Sequence, residues 1–466
     1  MRKLHSLVAI LLVVAACHRT GDTTLAHSVA LAAATNACAP PPPQTCSHAL
    51  PDGFSTAVPP TTVGTLGLDV AATQDENGDP MFAYRYQHVD GDGAPSPPIS
   101  KVYFARWDRC AGAYTAPVVI DGNVSEVVTG GPERAVAIAY DAGRKQIAVV
   151  YNLRDLAANA NNPPKKLFLQ VSDDMGQTWK NKTYVSPQSA NDAQQASAPA
   201  VTMGHGRIQI AYTQLNRACC PMSAPGGCAG CSAYWYLDGD GTHFTRQTIQ
   251  DGNGPIPYGS VITSMQLDAQ GNVGLAFVAS DFTRNRDYNG RVMFWRPDGR
   301  EAVTVMDSHN GQVDDPSVSL TFFGTQPRIA AHLVPDVTAP FAYDLRFSQS
   351  DDDGMSWSTP APLPRDQSEG TAFYQAIAVN SHDHVAILAA DATGTGDEIC
   401  GAPKLLESDN HSTWTVCGAD VSKNYVGVSG IYVQAYYTPG DKLTSVFQGT
   451  LGAKETGNGI VVWRQP

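Results

Sequence analysis

The sequence carries one turn pattern twice, as Ser172-Asp173-Asp174-Met175-Gly176-Gln177-Thr178-Trp179 and as Ser350-Asp351-Asp352-Asp353-Gly354-Met355-Ser356-Trp357. In a tight turn between two strands, the central Asp accepts hydrogen bonds from turn N–H groups, and the Gly adopts a positive φ angle. The hydroxyl groups bond locally, and the Trp buries a large ring beneath the turn. Two full copies of such a pattern predict a fold built from repeated β-strand units.

A larger repeating unit surrounds these two turns. Pairs of apolar segments joined by a tight polar turn occur seven times, at residues 68–86, 135–151, 200–212, 261–279, 318–332, 376–390 and 430–448. A third apolar segment follows each pair, at residues 102–107, 167–172, 233–237, 292–295, 345–350, 404–407 and 460–464. The alternation of apolar residues and the hairpin-type turns predict strands, and the spacing suits a four-stranded propeller blade.

The seventh unit ends after its third strand, whereas the segment at residues 54–59 reads as a fourth strand with no preceding partners. We expect this N-terminal segment to complete the last blade and close the ring, because closure removes an open sheet edge. The sequence therefore predicts an all-β fold, a seven-bladed β-propeller with four-stranded blades over residues 51–466.

The repeated turns closely resemble the Asp-box, or BNR repeat, of sialidase-type β-propellers. The matching residues are Ser172, Asp174, Gly176, Thr178 and Trp179 in the first copy, and Ser350, Asp352, Gly354, Ser356 and Trp357 in the second. In that family the boxes lie on the face opposite the catalytic pocket, so the resemblance implies a structural role. Catalytic sialidase domains are mostly six-bladed, which makes a six-bladed sialidase propeller the alternative fold.

The catalytic residues of that family do not carry over to this chain. A working sialidase needs three arginines that grip the substrate carboxylate, a Tyr nucleophile with a Glu partner, and an Asp acid/base. The family's N-terminal Phe/Tyr-Arg-Ile-Pro signature is absent, and the nearest string, Gln326-Pro327-Arg328-Ile329, lies mid-chain in a different order.

The N-terminal residues predict export and a lipid anchor. Residues 1–16 combine Arg2 and Lys3 with an apolar stretch too short to span a bilayer, as in a signal peptide. The string that ends at Cys17 resembles the bacterial lipobox, which implies lipidation of Cys17; an ordinary secretory signal is the alternative. His18 after the Cys favours the bacterial outer membrane by the sorting rule for such lipoproteins. Residues 17–50, with the run Pro40-Pro41-Pro42-Pro43, predict a flexible tether.

The composition excludes several classes of function. The formal charge is −13, and removal of Arg2 and Lys3 with the signal peptide takes it to −15, which argues against nucleic acid as a partner. The sequence has no P-loop, no Gly-x-Ser-x-Gly and no His-Glu-x-x-His. We expect a monomer with no cofactor and no metal. Calcium at the Asp-Gly pairs of residues 90–93 and 238–241 is an alternative, although turn chemistry alone explains such pairs.

Ten cysteines fit an oxidising compartment. Cys400 and Cys417 flank one strand–turn unit, and we expect them to form a disulfide. The close group Cys219, Cys220, Cys228 and Cys231 has the short spacings of a zinc site, but in an exported protein we expect two disulfides instead. The pairing of Cys38, Cys46 and Cys110 is left open by the sequence.

Long loops mark the predicted site. The loops between second and third strands and the loops between blades share one face, here called the long-loop face. The turns between first and second strands, and between third and fourth strands, share the opposite face, here called the short-turn face. Function usually lies on long loops carried by a rigid scaffold. Candidate residues for an acidic ligand are Arg85, Arg154, Arg284 and Arg286, and the catalytic candidates for the enzymatic alternative are Asp287 and Tyr288. The alternative for these arginines is ordinary ion pairing at the surface, for Arg85 and Arg154 with Asp90 or Asp155.

Two functions are compatible with this sequence. The first is a surface-tethered lipoprotein that binds a glycan or protein ligand on its long-loop face. The second is an exo-sialidase-like glycoside hydrolase that acts on terminal acidic sugars. The absent arginine signature favours the first.

Overall fold

A computed structural model describes residues 47–59, 65–87, 100–122, 126–128, 134–155, 165–180, 182–186, 194–216, 232–252, 254–256, 263–282, 288–307, 317–333, 344–364, 372–391, 403–416, 433–449 and 459–466. The chain divides into two compact units, residues 1–47 and 48–466, and the strands lie in the second. Within these ranges, no helix is long and apolar enough to span a membrane.

The second unit is a seven-bladed β-propeller of four-stranded antiparallel blades, which confirms the predicted fold class. The first strand of the chain, β1 (Gly53–Val58), belongs to the last blade. Blade 1 consists of β2 (Thr65–Gln74), β3 (Pro80–Gln87), β4 (Ser100–Asp108) and β6 (Val118–Asp121), with the short β5 (Ala113–Tyr114) paired to β4. Blade 2 consists of β8 (Val136–Asp141), β9 (Gln146–Asp155), β10 (Lys165–Ser172) and β11 (Thr183–Tyr184), with β7 (Glu126–Val128) also paired to β9.

The remaining blades repeat this order. Blade 3 consists of β12 (Gln194–Gly204), β13 (Arg207–Asn216), β14 (Ser232–Gly239) and β15 (Phe244–Thr248), followed by the small hairpin β16 (Gln250–Asp251) and β17 (Gly254–Pro255). Blade 4 consists of β18 (Ser264–Leu267), β19 (Val273–Phe282), β20 (Tyr288–Trp295) and β21 (Val303–Asp307). Blade 5 consists of β22 (Val318–Phe323), β23 (Gln326–Leu333), β24 (Asp344–Gln349) and β25 (Ala361–Pro362). Blade 6 consists of β26 (Ala372–Val379), β27 (Val385–Asp391), β28 (Pro403–Ser408) and β29 (Thr415–Val416).

Blade 7 consists of β30 (Gln434–Tyr437), β31 (Leu443–Gly449), β32 (Gly459–Arg464) and β1, so the N-terminal strand closes the ring as predicted. The pairing of β1 with β32 is antiparallel and sets Phe54 opposite Trp463. Their rings lie 6.4 Å apart between centroids. The Ser55 hydroxyl lies 2.8 Å from the Tyr114 hydroxyl of blade 1, so β1 contacts the blades on both sides of the closure.

The first strands of the blades form the inner wall of the ring. Strand 1 of every blade contacts strand 1 of the next, from β2 through β8, β12, β18, β22, β26 and β30 and back to β2. Buried apolar side chains fill the spaces between neighbouring blades. A strand therefore presents one apolar face to each neighbouring blade, which is why the strands read as nearly continuous apolar runs.

The two repeated turns at residues 172–179 and 350–357 have the same hydrogen bonds. Ser172 Oγ donates to Asp174 Oδ1 at 2.7 Å and accepts from Gly176 N at 2.8 Å. Asp174 Oδ1 also accepts from Thr178 N at 2.9 Å. The Thr178 hydroxyl and N–H lower the pKa of Asp174 to about 2. Trp179 stacks edge-on against Phe104 of the preceding blade, with 5.4 Å between ring centroids.

The second copy repeats this geometry with Ser350, Asp352 and Ser356. Its Trp357 stacks against Phe294 of the preceding blade at 5.3 Å. Hydrogen bonds from Ser356 lower the pKa of Asp352 to about 2. Each of the two turns therefore packs its blade against the preceding one through the Trp ring.

Blade 6 contains a variant of this turn, in which an Asn takes the place of the central Asp. Asn410 Oδ1 accepts from Thr413 N at 2.8 Å. Asp409 contacts His384 Nδ1 at 2.6 Å. Burial disfavours the charged imidazole, but the hydrogen bonds to Asp409 and Glu407 outweigh it and raise the pKa of His384.

Candidate functional site

Polar groups on the short-turn face hold neighbouring blades together. Arg296 of blade 4 is almost fully buried, and its Nη atoms lie 3.0 Å from Asp268 and 2.7 Å from Asp353 of blade 5. Arg328 of blade 5 contacts Asp383 of blade 6 at 3.0 Å in the same way. Because these arginines are engaged by carboxylates of the next blade, we assign this face a structural role.

The long-loop end of the second strands carries buried polar side chains. Five blades place such a residue at equivalent positions, and these residues are Arg85, Asn152, Thr213, His332 and Gln448. The backbone N–H of Asn152 donates to Ala135 O at 3.0 Å, and that of His332 donates to Ser317 O at 3.2 Å. The same backbone bond thus joins strand 2 to the residue before strand 1 in both blades.

Arg85 is the predicted ligand-binding residue whose side chain the structure describes. Its Nε atom lies 3.2 Å from Asp69 Oδ2, and the two side chains are 3% and 0% exposed. Asp69 precedes Val70 on the neighbouring strand β2, and no sequence pattern marks it as a partner. The structure therefore gives Arg85 a buried ion pair between strands β2 and β3.

The other predicted residues lie at or beyond the limits of the described chain. Arg154 and Tyr288 lie in β9 and β20, opposite Lys165 and Phe282 respectively, and only their backbone is described. The predicted residues outside the described ranges are Cys17, Arg284, Arg286, Asp287, Cys400, Cys417 and the cysteines of residues 219–231. These assignments stay predictions.

The central channel contains a polar cavity of about 260 Å³. Strand 1 of blades 1 to 4 forms most of its wall, and Gln434 adds a side chain from blade 7. Hydroxyl and amide groups of the described wall come from Thr73, Tyr140, Thr202, Thr263, Ser264, Gln266 and Gln434. Arg134 is the one charged side chain among the described residues of the wall, and it lies just before β8, at the long-loop end. The cavity thus combines a local positive charge with neutral hydrogen-bonding groups.

Thr263 is the second side chain of interest in this cavity. It is 2% exposed, and its hydroxyl has no hydrogen-bond partner among the described residues. A buried hydroxyl is normally hydrogen-bonded, because burial without a partner costs free energy. Thr263 therefore marks a place where a bound group or a water completes the hydrogen bonding.

No sequence pattern points to Arg134 or Thr263. Arg134 lies two residues before β8 and Thr263 directly before β18, and neither belongs to a motif. A polar residue within two positions of the start of strand 1 is the signal that would have found them, because in a propeller that position lies at the mouth of the channel.

Comparisons with known proteins concern the path of the backbone. No protein-family model matches the sequence, and no curated protein sequence is similar to it. An α-L-arabinofuranosidase from Fusarium graminearum, solved with an iminosugar inhibitor, has a TM-score of 0.48 and 8% identity, covering 89% of this chain and 98% of that chain. NanB sialidase from Streptococcus pneumoniae, solved as a mutant, has a TM-score of 0.45 and 7% identity, covering 89% of this chain and 94% of that chain. Trypanosoma rangeli sialidase in complex with sialic acid has a TM-score of 0.46 and 10% identity, covering 89% of this chain and 59% of that chain.

Proposed function

We propose that this protein binds an acidic glycan at the long-loop end of its central channel, without cleaving it. The cavity with Arg134 at its mouth is the observation that carries this proposal. A guanidinium group matches a carboxylate or a sulfate with paired hydrogen bonds. The hydroxyl and amide side chains of the wall suit the hydroxyl groups of a sugar.

Charge supports a local site. The chain has a formal charge of −13, which repels an anionic ligand at long range. An acidic ligand must therefore gain its attraction at short range, where the Arg134 guanidinium lines the cavity.

The side chains of the cavity wall favour binding over hydrolysis. Glycoside hydrolysis ordinarily uses two carboxyl groups, and the sialidase type replaces one of them by a Tyr nucleophile with a Glu partner. The described residues of the cavity wall contribute no carboxyl group, and the Tyr hydroxyl among them, that of Tyr140, donates to Glu76 at the short-turn end of the wall. An acid/base carboxyl group is therefore missing from the described wall.

Arg134→Gln tests this proposal. On a glycan array and in titration calorimetry, we expect the variant to lose about tenfold or more in affinity for acidic glycans, since a charge-assisted hydrogen bond is lost. Arg144→Gln is the matched control, because Arg144 lies in the short hairpin turn of the same blade and donates to Gly206 O. Unchanged affinity in Arg134→Gln would reject the site. If the protein binds an acidic protein and no glycan, the ligand is a protein. Release of a fluorophore from a sialoside would establish the hydrolase.

We propose further that a lipid on Cys17 anchors the protein to the bacterial outer membrane, with the long-loop face directed away from it. The chain enters the propeller on the short-turn face, where His48 N donates to Arg109 O at 3.2 Å. Trp107 Nε1 also donates to His48 O at 2.8 Å. An anchor that joins the domain on this side leaves the channel mouth at the opposite side free for ligand.

A further inference from the structure

Serine side chains cap the inner edge of two blades. Ser264 Oγ of blade 4 accepts a hydrogen bond from Leu320 N of blade 5 at 3.0 Å. Ser319 Oγ of blade 5 accepts one from Ile377 N of blade 6 at 3.1 Å. Strand 1 is the edge strand of each blade, so its outward backbone groups have no partner within the blade. A serine on the preceding blade supplies one.

Strand register identifies the corresponding amides in other blades. In an antiparallel pair, hydrogen-bonded and non-hydrogen-bonded residue pairs alternate, and the amides of the latter point outward. The bond from Asn152 N to Ala135 O fixes this alternation in blade 2 and puts the Ile138 amide outward. The bond from Asp268 N to Asn272 O does the same for Met265 in blade 4.

Alanine occupies the position of the capping serine in blades 1 to 3, and also in blade 6 as Ala376. In blades 1 to 3 the residues at this position are Ala71, Ala137 and Ala200, and the corresponding amides of the following blade are those of Ile138, Val201 and Met265, respectively. An alanine side chain accepts no hydrogen bond. Ala71, Ala137, Ala200, Ile138, Val201 and Met265 all line the cavity.

We propose that the backbone amides of Ile138, Val201 and Met265 form, with Arg134, an oxyanion-binding site inside the channel. Backbone N–H groups that face one concavity bind anions together. The buried Thr263 hydroxyl, which has no partner among the described residues, adds a further donor at the same wall. This inference rests on the proposed function and places the acidic group of the ligand within the channel, below the mouth.

The size of the cavity defines the class of ligand. A volume of about 260 Å³ is slightly below the usual range of small-molecule sites, which begins at about 300 Å³. It suits one oxyanion with a few neighbouring atoms. The anionic group is therefore terminal, either a carboxylate or a sulfate, and the rest of the glycan lies outside on the long-loop face.

The test restores the missing caps. In the double variant Ala137→Ser and Ala200→Ser, each hydroxyl copies Ser264 and occupies the amide of Val201 or Met265. Titration calorimetry with glucuronate and with inorganic sulfate, and with glucose as the neutral probe, should show anion affinity reduced about tenfold or more, since hydrogen bonds to a charged group are lost. Saturable binding of glucuronate alone identifies a carboxylate site, and saturable binding of sulfate alone a sulfate site. Ala376→Ser is the matched control, because it introduces the same hydroxyl in blade 6, outside the residues that line the cavity.

A second variant keeps the test valid if the added hydroxyls disturb packing. Thr263→Val preserves the shape of the side chain and removes its hydroxyl, and it should also weaken binding of the anion. If the wild-type protein binds neither anion, or if the cap variants and Thr263→Val bind as tightly as wild type, the amide site is wrong. In the second case a loss of binding in Arg134→Gln still supports the proposed function, so the two failures are distinguishable.

Discussion

At the scale of single residues, Gly176 and Gly354 are required for two different reasons. Both have a φ angle of 85°, which the turn pattern in the sequence predicts. A Cβ atom on Gly176 would also lie 2.0 Å from the Phe104 ring, and one on Gly354 would lie 2.2 Å from the Phe294 ring. The second reason could not be predicted, because the rings belong to the preceding blade and no local pattern links them to the turn.

A pair of glycine variants separates these two effects. Gly299 has a φ angle of 90°, and a Cβ atom added there would meet nothing within 4 Å, so Gly299→Ala should cost only the left-handed backbone, about 1–2 kcal/mol of unfolding free energy. Gly176→Ala should cost about 1–3 kcal/mol more, because the Phe104 ring must also move. Urea unfolding of both variants measures the difference. Equal losses would show that the contact with Phe104 is easily relieved.

At the scale of strands, the hairpins were predictable and the site was not. The apolar runs, the polar turns and the closing strand β1 are local features, and all are present in the structure. The cavity depends on strand 1 of four blades, from Ala71 to Ser264, whose side chains meet only when the ring has closed. The ion pair of Arg85 with the buried Asp69 could not be predicted for a related reason, because the sequence alone offers Asp90 as an equally good partner.

The closing strand β1 yields a stability prediction. Deletion of residues 51–60 removes β1, exposes the edge of β32 and uncovers its apolar contacts. We expect the free energy of unfolding to fall by at least about 3 kcal/mol, since Phe54 packs on Trp463 and Val58 is buried. Thermal unfolding followed by circular dichroism measures this loss.

A peptide supplies the control for that deletion. A synthetic peptide of residues 51–60, added in trans, should bind the open edge of β32 and restore the melting temperature in proportion to its occupancy. A scrambled peptide of the same composition should not. A deletion variant that melts like the full chain would show that ring closure does not depend on β1.

At the scale of the whole molecule, the two faces of the ring differ in their use of charge. On the short-turn face, buried arginines such as Arg296 and Arg328 contact carboxylates of the next blade. In the channel, Arg134 lines the polar cavity. The first arrangement joins neighbouring blades, and under the proposed function the second contacts the acidic group of the ligand. His48, the first residue of the propeller unit, also lies on the short-turn face.

Anchoring through Cys17 predicts a preferred orientation. Cys17→Ser should move the protein from the membrane to the soluble fraction, because the lipid is its only proposed attachment. For the anchored protein, a fluorophore at Asn77, exposed in a short turn, should be quenched by spin-labelled lipids more strongly than one at Asp307, exposed at the long-loop end of β21. If residues 17–50 form the predicted tether, with a mean span of roughly 30 Å, the expected difference is a bias in the average that grows as the tether is shortened. Equal quenching at both positions with a shortened tether, or stronger quenching at Asp307, would reject the proposed orientation. A Cys17→Ser protein that stays on the membrane would reject the lipid anchor itself.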